Sequence, residues 1–405
     1  MKAFILVVVL SLHLELSAKE VDIQQIPYAS KVVFNSEMLD VNVSFMIYLP
    51  KSFHKTSKLY TYPVIFINGS HGEQFFHSLT GVTNHLGKLD RMPESIVVTL
   101  NGDTPDIFTN GMWLNREKID EYGDIKRYIQ FLERELFPYL ESEYRANSHR
   151  TIIGVSGSSL FPLASYIEKP NLFSNHIYLA SHDMIGMGLE ANKRFIDDFD
   201  KVFNSNSHLS SKFYFGIASR DMERRGDVFS KNASDLSVVF KKHLDKDDFK
   251  IETLSNEDHY NALIKALLSA FELLYPKQDW APNYRDLVAD SDDALKSIQK
   301  HYDDLSDSYG YTIFPKIERW NSPNSLSAIS RILYRDKKYQ DAFNVAEYWS
   351  TLAADPTPAK LRMIDALSSM DRKKTAASNL AIILEELDES SPYYERAMTL
   401  KQQLQ

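Results

Sequence analysis

The sequence predicts a doubly wound, mostly parallel α/β sheet followed by an all-α region, and three observations predict it. Continuous apolar runs such as Tyr62-Pro63-Val64-Ile65-Phe66-Ile67 stop abruptly at polar, glycine-bearing loops, as strands buried on both faces do at their carboxyl ends. Segments of helical spacing separate those runs, which is the alternation of a parallel sheet with crossover helices. Beyond Pro276 the strand signals vanish, and residues 331–387 show self-similarity at a spacing of 34.

Length and composition fit that reading. The 405 residues suffice for one large α/β unit and a smaller one, because single cores stop growing near roughly 250–300 residues. The expected division is a signal peptide over 1–18, the α/β unit over 19–276 and the helical unit over 277–405. A hydrophobic content of 43% and a charged content of 25% are ordinary for a globular chain, which sets aside wholesale disorder and a membrane-embedded fold. A net charge of -9 sets aside nucleic acid as the main partner, since phosphate binding needs a basic face. At the N-terminus, Met1-Lys2, an apolar run over 3–12 and small residues up to Ala18 read as a secretory signal too short to span a bilayer. The chain has no cysteine, hence no disulfide, thiolate nucleophile, Cys-ligated metal or lipoprotein anchor. Export without disulfides points to a periplasmic or secreted protein with no stable membrane insertion.

In chain order, apolar residues alternate over 32–49 (Val41, Val43, Phe45, Ile47 and Leu49 on one parity), the pattern of half-buried antiparallel edge sheet. The run Tyr62–Ile67 ends at Asn68-Gly69-Ser70-His71-Gly72, and a second run over 94–100 ends at Asn101-Gly102-Asp103. Residues 120–143 carry helical spacing through Ile125, Tyr128, Ile129, Leu132, Leu136 and Leu140. The run Thr151-Ile152-Ile153 then breaks into Gly154-Val155-Ser156-Gly157, and a helix-compatible segment over 160–168 follows at once. Strand, sharp turn and helix with a serine at the tip form a nucleophile elbow, in which small flanking residues avoid collisions around a strained serine. Ser158 stands where the G-x-S-x-G pattern has its second glycine. Further strands are expected over 176–181, 212–218 and 249–254, with a helix over 233–244 before the last. Helices over 290–305 and 326–334 lead into the 34-residue units, where Leu333 matches Leu367 and Ala342 matches Ala376.

The loops after 212–218 and 249–254 carry Asp221 and His259, so both fall on the same sheet edge as Ser156. A serine hydroxyl is a poor nucleophile until an imidazole takes its proton, and a carboxylate is needed to fix that imidazole's tautomer. Ser156, His259 and Asp221 are the candidates for those roles, with Glu223 as the alternative acid. The oxyanion formed on attack needs preorganised N–H donors. The Gly157 amide is one candidate and the Ser70 amide the other, with Gly69 and His71 beside it. His71, His77 and His85 show no H-E-x-x-H or comparable spacing, so no metal is expected. The aromatic-rich residues 108–113 and Tyr122 are candidates for lining an acyl or aryl pocket, or for core packing.

With these residues in hand, 32–275 resembles the putative esterase family of the α/β-hydrolase superfamily, which includes esterase D-like and enterochelin esterase-like proteins. The likeness rests on Tyr62-Pro63-Val64 leading to Asn68-Gly69, on Gly154-Val155-Ser156-Gly157 with Leu160-Phe161, on the strand ending at Asp221, and on His259 followed by a helix to Leu274-Tyr275. The chain departs from the family pattern at Asn68, Ser158 and Ser159. The helical region resembles the tetratricopeptide-type appendix of some exported members. The resemblance implies an exported serine esterase that hydrolyses a small-molecule carboxylic ester through an acyl-enzyme, without a cofactor. The alternative is a catalytically weak or inactive binding protein of the same fold that engages a protein partner through its helical repeats.

Overall fold

Apolar runs that must bury both faces can only do so inside a sheet covered on both sides, and the strands obey that constraint. In this computed structural model the described residues are 27–100, 125–188, 193–205, 210–225, 227–280, 283–289, 291–318 and 324–405. Among them the strands are β1 (Ser30–Ser36), β2 (Val41–Tyr48), β3 (Tyr62–Ile67), β4 (Ile96–Leu100), β5 (Ala146–Val155), β6 (Asn175–Leu179), β7 (Lys212–Ala218) and β8 (Phe249–Leu254). They form one sheet in the order β1-β2-β4-β3-β5-β6-β7-β8. β1 pairs with β2, and β2 with β4, antiparallel; every later neighbour is parallel. The alternating stretch at 32–49 is thus a hairpin instead of one strand. Polar residues interrupt it at 35–37, and Asp40 adopts φ 57°, a left-handed conformation that Asp tolerates in turns.

Helices follow in turn: α1 (Ser70–Lys88), α2 (Ile125–Phe131), α3 (Phe137–Tyr144), α4 (Leu160–Glu168), α5 (Phe195–Ser205), α6 (Ser219–Arg225), α7 (Asp227–His243) and α8 (Leu263–Leu274). The helical spacing over 120–143 is realised from Ile125 on as α2 and α3, joined by a wide π-turn over Leu132–Leu136. Pro138 lacks the N–H that would bond Arg134, which accounts for an irregular turn there. Alternation along the strands sorts the core. Ile65, Ile67, Val97, Ile153 and Ile177 face α1 and α8, while Val64, Phe66, Val98, Ile152 and Phe215 face α2 to α5 and α7.

Beyond Pro276 come α9 (Lys277–Trp280), α10 (Tyr284–Ala289), α11 (Ala294–Tyr309), α12 (Leu326–Arg335), α13 (Tyr339–Leu352), α14 (Thr357–Ser369), α15 (Lys373–Glu386) and α16 (Tyr394–Leu404). The last five pack each on the next. Their geometry repeats every 34 residues: Lys337 and Asp371 both take left-handed conformations (φ 60° and 59°) after α12 and α14. The matched pairs Leu333/Leu367 and Ala342/Ala376 are all buried. The core on the α1/α8 face runs without a break into these helices through Tyr275, Trp280, Ile298 and Ile329. A short bridge adds backbone bonds, with Ser57 N donating to Leu352 O (2.8 Å) and Ala354 N to Lys55 O (2.8 Å). Among the described residues no helix is long and apolar enough to cross a membrane.

Candidate active site

β5 delivers its last residue, Val155, to the carboxyl edge of the sheet, and the chain reverses there. Ser156 takes φ 51°, a strained left-handed conformation for a residue with a side chain, and opens a single 3₁₀ turn, Ser156–Ser159, ahead of α4. Gly154 is obligatory: a Cβ there would lie 2.5 Å from the Ser159 Cα. The flanking positions differ from the sequence expectation that any side chain beside the serine collides. A Cβ at Gly157 would meet nothing within 4 Å. Ser158 fits because Gly69 (φ 71°) leaves room; a Cβ on Gly69 would sit 3.0 Å from that of Ser158. The Ser158 hydroxyl donates to Val155 O (2.8 Å) and accepts from Val155 N (3.1 Å), clasping the turn.

Asp221 was expected on a loop and instead lies in the first turn of α6, immediately after β7. Its Oδ2 is 2.6 Å from His259 Nδ1, and His259 Nε2 is 2.9 Å from Ser156 Oγ. Three residues scattered over 103 positions therefore form one hydrogen-bonded chain at the carboxyl ends of β5, β7 and β8. Asp221 is buried and Glu223 exposed, so of the two carboxylates it is Asp221 that reaches the imidazole. Tyr260 sets its ring edge-on to His259 at 4.7 Å and lies 5.7 Å from Phe75. On the other side His182 lies 6.3 Å from His259, against Phe229 at 4.2 Å.

The loop after β3 is stitched to the elbow. Asn68 N donates to Ile153 O (3.0 Å), and Asn68 Nδ2 to Ser158 O (2.9 Å). Gly69 precedes Ser70, the first residue of α1, so the Ser70 amide is among the unpaired N–H groups of a helix start. The Gly157 amide belongs to the first turn after the serine. Residues 108–113, Tyr122 and the segment 1–18 lie outside the described residues.

Sequence reasoning passed over two supports. One is the Asn68 side chain, which read as a turn former. The other is Asp258, held by Arg220 (2.9 Å) and Arg224 (3.0 Å) of α6. Asn256 N also bonds Ser219 Oγ (3.0 Å), and Arg220 N bonds Glu257 O (3.3 Å), so the segment bearing His259 is zipped to the helix bearing Asp221. The i, i+4 spacing of Arg220 and Arg224 was the legible signal. No group of three or more metal-ligating side chains occurs among the described residues.

Comparisons with known proteins bear on this arrangement. Residues 36–225 match the family described as putative esterase. The fold is similar to that of an IroE-like serine hydrolase from Shewanella oneidensis, at 18% identity and a TM-score of 0.58, covering 79% of this chain and 99% of that one. It is similar to an uncharacterised protein from Capnocytophaga ochracea, at 13% identity and a TM-score of 0.54, over 93% of this chain and 99% of that one. It also resembles the siderophore hydrolase EstB from Aspergillus nidulans, at 13% identity and a TM-score of 0.51, over 65% of this chain and 99% of that one. No curated protein matches the sequence. Over its matched segment the chain is thus similar to the putative esterase family, and its fold is similar to that of a serine hydrolase of known structure.

Proposed function

We propose that the protein is an exported serine esterase acting through an acyl-enzyme on Ser156, with His259 as general base and acid and Asp221 as the carboxylate that orients it. The observation that carries this reading is the hydrogen-bonded chain Asp221–His259–Ser156 with the serine held at φ 51°. Ser156 Oγ attacks the ester carbonyl carbon while its proton passes to His259 Nε2. The oxyanion meets the amides of Gly157 and Ser70, and the intermediate collapses as the leaving alcohol takes the proton from Nε2. Water, deprotonated by the same nitrogen, then attacks the acyl-enzyme and releases the acid. Asp221 holds the imidazole tautomer that leaves Nε2 free to accept. Export rests on the basic start, apolar core and small residues of 1–18. The unit we assign to the chemistry is 19–276, with 277–405 as a tetratricopeptide-type helical unit docked on it.

The test is labelling with a fluorophosphonate probe, wild type beside Ser156→Ala, His259→Ala, Asp221→Ala and Glu223→Ala. The expected result is labelling of the wild type and Glu223→Ala, none in Ser156→Ala, and rates reduced by at least about 10³-fold in His259→Ala. An unlabelled, folded wild type would overturn the reading.

A further inference from the structure

At the opposite end of α1 from the elbow, where the helical unit docks on the sheet, lies a cavity of about 650 Å³. It is lined by Lys51 and Lys55 from the segment after β2, His85 and Lys88 from the last turn of α1, and Lys316 from the segment before α12. Glu94 and Glu318 also reach it. Two of the lysines are matched: Lys316 pairs with Asp90 (3.0 Å) and bonds Gly87 O, and Lys55 stands 3.9 Å from Glu318. Lys51 and Lys88, from separate segments, line the same cavity, and the Lys51 charge acts on Lys88. Desolvation first, and then the Lys51 charge, hold the Lys88 amine below the usual lysine range; Glu94 opposes the shift and Lys316 adds to it.

Like charges converging from separate segments cost free energy in the empty protein, and a bound anion reverses the sign of that cost. The walls are fixed, so the lysines do not simply relax apart at their bases. Arg145 lies 4.2 Å over Phe53 and bonds Ser57 O (2.6 Å), anchoring the segment of Lys51 and Lys55. Leu326 N donates to Lys316 O (2.9 Å) and Ser327 N to Ile317 O (3.0 Å), anchoring the opposite wall.

We propose that this cavity is a binding site for a compact, multiply charged oxyanion, a phosphate group or a set of neighbouring carboxylates, held between Lys51, Lys88 and Lys316. The site is separate from the ester chemistry and does not depend on it: Lys88 ends the helix that Ser70 begins, about 27 Å away along the axis of its 19 residues.

The experiment is calorimetric titration of the full chain with pyrophosphate and with citrate at fixed ionic strength. The variants are Lys51→Ala/Lys88→Ala and, as a charge-matched control, Lys126→Ala/Lys300→Ala. Saturable one-to-one binding is expected in the wild type and the control, weakened at least tenfold in Lys51→Ala/Lys88→Ala. The better of the two anions identifies phosphate or carboxylate as the recognised chemistry. Absence of saturable binding with both anions, or equal binding by the two double variants, overturns the assignment. A second reading uses no ligand: at low salt Lys51→Ala/Lys88→Ala is expected to melt at or above the wild-type temperature because repulsion is relieved. A clearly lower melting temperature would mean that the lysines are structural, and would equally overturn it.

Discussion

At the scale of residues, the two glycines around the serine have different duties. The Cβ of Gly154→Ala would press on the Ser159 backbone, which cannot retreat without moving the start of α4. That variant is expected to lose about 2–3 kcal/mol of unfolding free energy by urea denaturation. Gly157→Ala, facing open space, is expected to stay within about 0.5 kcal/mol of wild type. Equal losses at the two positions would refute this account of the turn. Ser158→Gly supplies the second glycine of the G-x-S-x-G pattern yet removes both bonds to Val155. It is expected to cost about 1–2 kcal/mol in the same measurement, because the hydroxyl clasp and the restricted backbone are lost together.

At the scale of elements, α6 and the His259 segment act as one piece. Asp258 carries two ion pairs to α6, both with substantially exposed arginines, so their stability contribution is modest, at most about 1 kcal/mol each. Their geometric effect is larger, since Asp258 is the residue before the imidazole that must reach both Asp221 and Ser156. Asp258→Asn is expected to lower kcat several-fold with KM unchanged, and high salt is expected to do the same to the wild type but not to the variant. An unchanged kcat would show that the remaining backbone bonds suffice to hold the imidazole. In the helical unit the 34-residue period emerges as equal geometry: α13 and α15 begin 34 positions apart, at Tyr339 and Lys373, and end so, at Leu352 and Glu386. Leu333→Ala and Leu367→Ala, at matched buried positions, are each expected to cost about 2–4 kcal/mol.

At the scale of the whole molecule, the core does not stop at Pro276. Leu274 and Tyr275 are buried against Trp280 and Tyr309, so a chain ending at 276 would expose that face. Such a truncation is expected to be largely insoluble or to bind a hydrophobic dye strongly, as read by expression and dye fluorescence. Stability is also expected to depend on pH. Burial pushes His149 down to about 4 and His176 down to about 3. Unfolded, both would take up a proton near pH 6.5, so below that pH the unfolded state binds more protons and stability falls as pH falls. The loss is expected to reach about 3–4 kcal/mol between pH 7 and 5 in urea titrations, and His176→Leu to reduce that slope by roughly half.

What the sequence by itself determined is the local grammar: which runs are strands, that a serine sits in a sharp turn between a strand and a helix, and that an acid and a histidine follow later strands on the same edge. Those features are encoded within a few residues of one another or in chain order, and apolar spacing and turn chemistry report them directly. Only the tertiary structure decided what depends on distant neighbours. It brought Asp221 and not Glu223 to His259, because α6 begins at once after β7 and residues two apart on a helix point to nearly opposite sides. Gly69, 89 positions away in the chain, made room for Ser158 where the sequence called for glycine. The edge run at 32–49 became a hairpin because its polar centre could turn and pair both halves with the sheet. The helices beyond Pro276 share the core of the sheet because an apolar face buries itself wherever a complementary face is near, irrespective of where a repeat period begins.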